Sequence, residues 1–444
     1  MASNTLNQDS TINTIRQAGE VRVQLAQVVS TASNKTCNIT NQILTIQIFE
    51  DMFSPFITGS IIFRESLDLI NALPFIGSEY IDLLLFTPGL DVTLKEKAMI
   101  TGRFYIYKMT EREYVLEKNI VYQLHFISEE AITDLNIRLS KGFNGKISDM
   151  IVDLVKGKNN LGSNKPLVLE QTKNSTKYIS NYWPITKNIN FLLQQSSSLN
   201  SSATYSFFEN RNGFNYVSLD YLNAEDVYQS FTLGSSTDMV DPMGGSSRNI
   251  ARDYSKILEL TVPTGFDYID RIRTGTYASK LIIHDMTTKR YKTVTYDYLQ
   301  KFNEGSETRL NKFPITTPNI IARVYSTIFV NEVANSVFSN YGDVSNVRVV
   351  QDRTSRIKQA ESFKLQIKVN GRTDYTVGQK VYLNINTIHP ISEKDTPTET
   401  MDKMYSGNYL ISAIRHVIDR QRHECFMELI KDSLIFNTGT GNLA

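Results

Sequence analysis

The feature that most constrains this chain is the strict alternation of apolar and polar side chains in several short runs. Phe363, Leu365, Ile367 and Val369 alternate with Lys364, Gln366 and Lys368. Successive side chains on a strand point to opposite faces, so this run predicts a strand with one dry and one wet face. Val21, Val23 and Leu25 alternate with Arg22 and Gln24 near the other end, and Val381, Leu383 and Ile385 form a further run. Aromatic residues make up 10% of the chain, 23 Tyr and 22 Phe against one Trp. Such residues favour half-buried pleated surfaces. The chain must therefore bury sheet faces at both ends.

Punctuation between the runs gives the organisation. Residues 43–49 read as a strand closed by Glu50-Asp51, with Ser54-Pro55 as a turn and 58–63 as the next strand, entered through Gly59. Residues 67–73 read as a short helix stopped by Pro74. Residues 79–86 form a strand ending at Pro88-Gly89. Residues 104–109 and 120–127 form a hairpin across 110–119. Five or six short strands predict a small β-barrel or sandwich over 21–135, behind a polar N-terminal arm at 1–20. Ile147, Ile151, Leu154 and Val155 then share one helical face that stops near Gly157, and a second helix is predicted over 189–199. Strands at 205–210 and 215–219 flank Arg211-Asn212-Gly213, a hairpin signal. An α/β middle domain is thus expected over 136–235.

The Gly-, Ser- and Asp-rich stretch at 235–252 reads as a linker or loop. Strand character returns at 256–261, 280–284 and 291–296, so 236–300 is expected to hold the linker and the first strands of a second barrel. Residues 301–355 are expected to be an extended excursion or a helix-containing insertion. Residues 356–436 supply the rest of the second barrel, ending in a hairpin of 409–418 with 425–430 across 419–421, before a polar tail at 437–444. The fold class is mainly β with α+β parts: two small β-barrel domains plus an α/β middle domain. A length of 444 residues suits about three domains.

The chemistry expected of an enzyme is absent from the sequence. His125 lies within a strand between Leu124 and Phe126, which suits a satisfied barrel residue. His284-Asp285 could be half of a charge relay, but no GxSxG nucleophile motif accompanies it. His416, His423 and Glu424 invite a metal reading at helical spacing, yet the segment reads as a hairpin, HExxH is absent and no Cys-His cluster is evident. The pairs Glu50-Asp51 and Glu129-Glu130 point to opposite faces and read as turn residues, a poor arrangement for a shared acid–base cleft. No Walker A or GxGxxG loop opens a helix. No catalytic residue, cofactor or metal is therefore expected.

Formal net charge is +1, with no dense basic run, so neither a nucleic acid nor an anionic membrane is called for by the global field. No ~18-residue apolar window or secretory leader is seen, so the chain is expected to fold in the cytoplasm, with no membrane anchor. Cys37 and Cys425 are then two free thiols, and the sequons at Asn38, Asn174 and Asn200 are incidental.

Four segments in order resemble the central baseplate hub protein of contractile-tailed bacteriophages. ILTIQIFEDMFSPFITGSIIF followed by LDLINALPFIGSEYIDLLLF (43–86) looks like that family's first barrel. LHFISEEAITDLNIRLSKGFNGKISDMI (124–151) looks like its exit. FFENRNGFNYVSL (207–219) is similar to a hairpin shared with secretion-system spike proteins. Residues 363–434, ending in SGNYLISAIRHVID and MELIKDSL, look like the second barrel. The resemblance spans about residues 40–435. It implies a homotrimer presenting six barrels around a channel, which would adapt a three-fold central spike to a six-fold tail tube. Its implied partners are copies of itself, the spike, tail tube or tube-initiator proteins and baseplate wedge proteins, without a small-molecule substrate or sequence-specific nucleic acid. The related spike proteins continue into an OB-fold and a needle, so those parts are expected on a separate protein. The rival expectations are a tail-associated cell-wall hydrolase, or another tail structural protein such as a wedge or tube initiator.

Overall fold

In the computed structural model the described residues are 17–31, 35–65, 76–89, 99–115, 119–200, 202–233, 250–264, 267–285, 289–305, 308–315, 326–331, 345–387, 401–420 and 422–437. The helix expected at 67–73, most of the linker at 235–252, and most of the arm and tail lie outside them.

The N-terminal unit comprises β1 (Arg22–Val29), β2 (Thr36–Asn38), β3 (Ile43–Asp51), β4 (Thr58–Glu65), β5 (Tyr80–Phe86), β6 (Ile100–Tyr114) and β7 (Ile120–Ser128). Their hydrogen-bonded order is β2-β1-β5-β6-β7-β4-β3. Alternation sends Ile46, Ile48, Ile61, Phe63, Leu83, Tyr122, Leu124 and Phe126 into one core. β6 serves two partners, and its register shifts between Ile106 and Lys108 and again between Thr110 and Glu113. Such bulges bend a strand and curl the sheet. Ile39 N–H donates to Ala26 O at 2.9 Å, carrying the β1–β2 pairing one step past Asn38, and among the described residues no ladder joins β2 to β3 at the two ends of the order. The expected barrel is thus a curved sheet without a closing ladder among the described residues.

The middle unit comprises α1 (Glu129–Asn136), β8 (Gly142–Lys146), α2 (Ile147–Lys156), β9 (Leu167–Leu169), β10 (Ser175–Ile179), α3 (Ile185–Gln195), β11 (Tyr205–Asn210), β12 (Gly213–Ser218) and α4 (Leu219–Ala224). The predicted face of α2 is buried, with Ile147, Ile151, Leu154 and Val155 in one cluster with Ile189, Leu192 and Leu193 of α3. α3 begins and ends four residues earlier than predicted. It starts after Pro184, and the Ser196 hydroxyl donates back to Leu192 O at 2.7 Å where the helix stops. The β11–β12 hairpin turns through Arg211 and Asn212. Gly213 has φ +129° and an added Cβ would sit 2.4 Å from Pro166 O, so only glycine fits there.

The C-terminal part contains β13 (Val227–Leu233), α5 (Ile250–Tyr254), β14 (Ile257–Thr264), α6 (Tyr268–Arg273), β15 (Ala278–Asp285), β16 (Arg290–Asp297), α7 (Tyr298–Glu304), β17 (Phe313–Pro314), β18 (Ser326–Asn331), α8 (Ser345–Ala360), β19 (Phe363–Asn370), β20 (Lys380–Ile385), β21 (Gly407–Asp419), β22 (His423–Lys431) and β23 (Ser433–Leu434). Six strands run in the order β13-β20-β21-β22-β19-β14. A parallel bridge between Thr232 and Lys256 returns the order towards its start. β13 falls inside the segment expected to be the α/β domain, yet it pairs in parallel with β20. β15 and β16, expected in the second barrel, instead form a separate sheet with β18. α8 also runs past the expected end of the 301–355 excursion. Its Arg353 donates to Ala203 O and Tyr205 O at 3.1 and 2.8 Å, and its Gln351 donates to Ser279 Oγ at 3.0 Å, so it joins the middle unit to the side sheet.

The two strand units are not separate bodies. Gly407–Leu410 of β21 pairs with β20, while Ala413–Asp419 of the same strand pairs with β3. One sheet of thirteen strands results. The cores interlock as well. Met52, just after β3, is buried in the second core, and Ile418 of β21 is buried in the first. Among the described residues no helix is long and apolar enough to cross a membrane.

Candidate functional site

Where β3 meets β21, buried polar groups gather from all three units. Glu50, near the end of β3, is 2% exposed. It accepts hydrogen bonds from Thr376 Oγ1 and, at 3.2 Å, from Val377 N–H. Burial holds its carboxyl above the usual range, against the pull of those donors and of the Arg211 guanidinium. Arg211 sits at the tip of the β11–β12 turn and donates to Asp374 O at 2.8 Å. Asp374 is also gripped by Arg372 Nε at 2.9 Å and by the Tyr228 hydroxyl. Two residues before Arg211, Glu209 accepts from Ile57 N–H at 3.0 Å. Lys165 Nζ lies 2.5 Å from Glu130 Oε2 and 2.6 Å from Glu209 Oε1. Burial opposes the Lys165 charge, but Glu209 and Glu130 outweigh it and its pKa is raised.

The Glu-Asn-Arg segment of FFENRNGF is thus a clasp: Glu209 holds the N-terminal unit and Arg211 holds the C-terminal one. Glu50 and Glu130 are not turn residues as expected. Glu50 lies within β3, one residue before its end, and Glu130 lies in the first turn of α1, both inside this polar network. Only Asp51 of the four makes a turn contact, accepting from Phe53 N–H at 2.8 Å. Glu50, Glu130, Glu209 and Asp374 each have donors assigned. The arrangement fixes position, and it does not present two free carboxylates across a gap.

The histidines divide. His125 is half-buried on the outer face of β7, where Nε2 lies 2.8 Å from Thr110 Oγ1, and burial, then Lys108, lowers its pKa. His284 and Asp285 end β15, opposite Tyr291 and Arg290; their side chains lie outside the described residues. His416 and His423 meet. His416 Nδ1 is 3.0 Å from His423 Nε2, and Cys425 Sγ is 3.3 Å from the first and 3.5 Å from the second. All three are fully buried. Burial first, then Arg211, lowers His416 to about 3, and burial then His416 lowers His423. Burial raises the Cys425 thiol.

This corrects the expectation that no Cys-His cluster exists. Glu424, the third residue considered from the sequence, faces the other way, 3.1 Å from Lys368 Nζ and 3.1 Å from Arg422 Nε. The overlooked signal is His423-x-Cys425: on a strand, residues two apart share a face. Cys37 and Cys425 are both free.

No family model and no curated protein sequence matches the chain. Solved structures do. A tail protein from Neisseria meningitidis MC58 superposes with a TM-score of 0.54 at 11% identity, covering 92% of this chain and 96% of that one. The 43 kDa tail protein of prophage MuSo2 from Shewanella oneidensis gives 0.50 at 12% identity, covering 92% and 98%. Nearly the whole length of both chains is shared, β-rich units and middle unit together. The chain therefore has the fold of these tail proteins.

Proposed function

We propose that this chain is a structural baseplate-hub subunit of a contractile phage tail. The observation that carries the reading is the joining of two strand units into one sheet through β21 and β3. A subunit carrying two such units in fixed relation presents six of them when three copies close around an axis. That ring is three-fold where it meets a central spike and close to six-fold where it meets a tail tube. A head-to-tail interface of this kind closes only at the right rotation. The full-length likeness to two tail proteins supports a tail role. The buried carboxylates at the junction support a scaffold, since their donors hold three units together and leave no acid–base pair facing a cleft. In this reading the ring leaves a passage with a polar and charged wall, and the partners are further copies, the spike, tube or tube-initiator proteins and wedge proteins of the baseplate.

Native mass spectrometry of the purified chain tests the stoichiometry. The expected species is a trimer whose population grows with concentration, as mass action requires. A discrete hexamer would favour a tube-initiator role instead. Clearing of purified peptidoglycan by the isolated chain would replace the scaffold reading with that of a hydrolase.

A further inference from the structure

We propose that His416, His423 and Cys425 form a binding site for a transition metal of the zinc class, a staple across the β21–β22 hairpin beside the junction of the two strand units. The placement follows from the ladder. His416 and Cys425 are direct cross-strand partners, and His423 precedes Cys425 by two on the same strand. Pleating therefore sends all three side chains to one face. On its other edge His416 pairs with Ile48 of β3, which puts the cluster at the seam.

The separations are those of ligands around one ion. Tetrahedral zinc with Zn–N near 2.0–2.1 Å and Zn–S near 2.3 Å sets its ligand atoms about 3.3 Å apart for two nitrogens and about 3.5 Å for nitrogen and sulfur. The observed values are 3.0, 3.3 and 3.5 Å. Neutral side chains cannot use this geometry fully. An imidazole nitrogen offers one lone pair or one proton, so at most two of the three short contacts can be hydrogen bonds. A cation at the centre takes all three inward lone pairs at once, and the ring protons then sit on the outer nitrogens, His416 Nε2 and His423 Nδ1.

The surroundings hold the ligands in place. Gly371 N–H donates to His423 O at 2.8 Å, and His423 N–H donates to Gly19 O at 2.7 Å. A Cβ on Gly371 would sit 2.4 Å from the His423 ring, so the glycine makes the space in which that ring lies. Two imidazoles and a thiolate select zinc-like ions over magnesium or calcium. With every ligand fully buried the site is structural, filled as the hairpin closes, and its fourth position falls to a water or a protein oxygen.

The test uses the full chain, untagged, with Cys37→Ser as the background so that only one thiol remains. Elemental analysis of protein from zinc-supplemented culture is expected to find about one zinc per chain. In Cys425→Ser and His423→Gln, zinc is expected to fall to the blank. Unfolding in chelator and refolding with Co2+ is expected to give a thiolate-to-cobalt charge-transfer band, lost in Cys425→Ser. Zinc at blank level in the parent chain together with a featureless cobalt spectrum would overturn the proposal. So would metal content unchanged by either substitution. Should the variants fail to fold, the parent's cobalt spectrum decides alone, because a bound ion without sulfur character would also overturn it.

Discussion

At the scale of single residues, this molecule places charge where a sheet protein ordinarily places hydrocarbon. Lys165 pairs with both Glu130 and Glu209, which are almost wholly buried. Removing one member of such a group leaves uncompensated charge in a poor solvent for it. Lys165→Ala is expected to cost about 3 kcal/mol, the low end for a buried ion pair because the ammonium keeps some contact with water. Urea unfolding at neutral pH measures this, and a loss under ~1 kcal/mol, the range of an exposed pair, would contradict it. Glu50 gives a prediction of opposite sense. Its folded carboxyl titrates above the ordinary value of 4.5, so between the two values the folded state binds more protons than the unfolded state. That contribution to stability is present below 4.5 and is lost as pH rises through the folded value. Glu50→Gln removes the titration. The stability of the wild type relative to this variant is therefore expected to decline as pH rises from 4.5, and parallel pH profiles would show the account of Glu50 to be wrong.

At the scale of elements, alternation made most strands legible. The runs at 363–369 and 381–385, the hairpin ending the chain and the helical face of Ile147, Ile151, Leu154 and Val155 all follow from local periodicity. What stayed hidden depends on distant partners. β13 belongs beside β20, a parallel neighbour about 150 residues later in the chain, and no local pattern announces such a partner. β15 and β16 read as strands, but nothing in their sequence says that they pair with β18 and not with β14. The cluster is half visible in the sequence: two histidines stand out, while Cys425 joins them through the cross-strand register that sets it opposite His416. The exchange of Met52 and Ile418 between cores is likewise a property of the paired strands. It predicts that Met52→Ala and Ile418→Ala each cost about 2–4 kcal/mol, and that each substitution shifts the unfolding of both strand units together. Hydrogen exchange resolved along the chain reads this out. Loosening confined to the substituted residue's own unit would mean that the interlocked cores do not couple them.

At the scale of the whole molecule, the account rests on two strand units held in one sheet, clasped by Glu209 and Arg211 from the middle unit. Rigidity between the units matters for the proposed ring, since a hinge there would let three copies close at many angles. The sequence showed two strand-rich ends and a middle of different character, and the resemblance in motif order supplied the idea of a ring. The clasp itself could not be read from the sequence, because Glu50, Arg211 and Asp374 come together only once β3 and β21 have paired. An image of the assembled chain by electron microscopy tests the central claim most directly. The account predicts a ring with three-fold rotational symmetry and six lobes of similar size around an open axis. A particle with two-fold or true six-fold symmetry, or three lobes about a closed apolar centre, would contradict it.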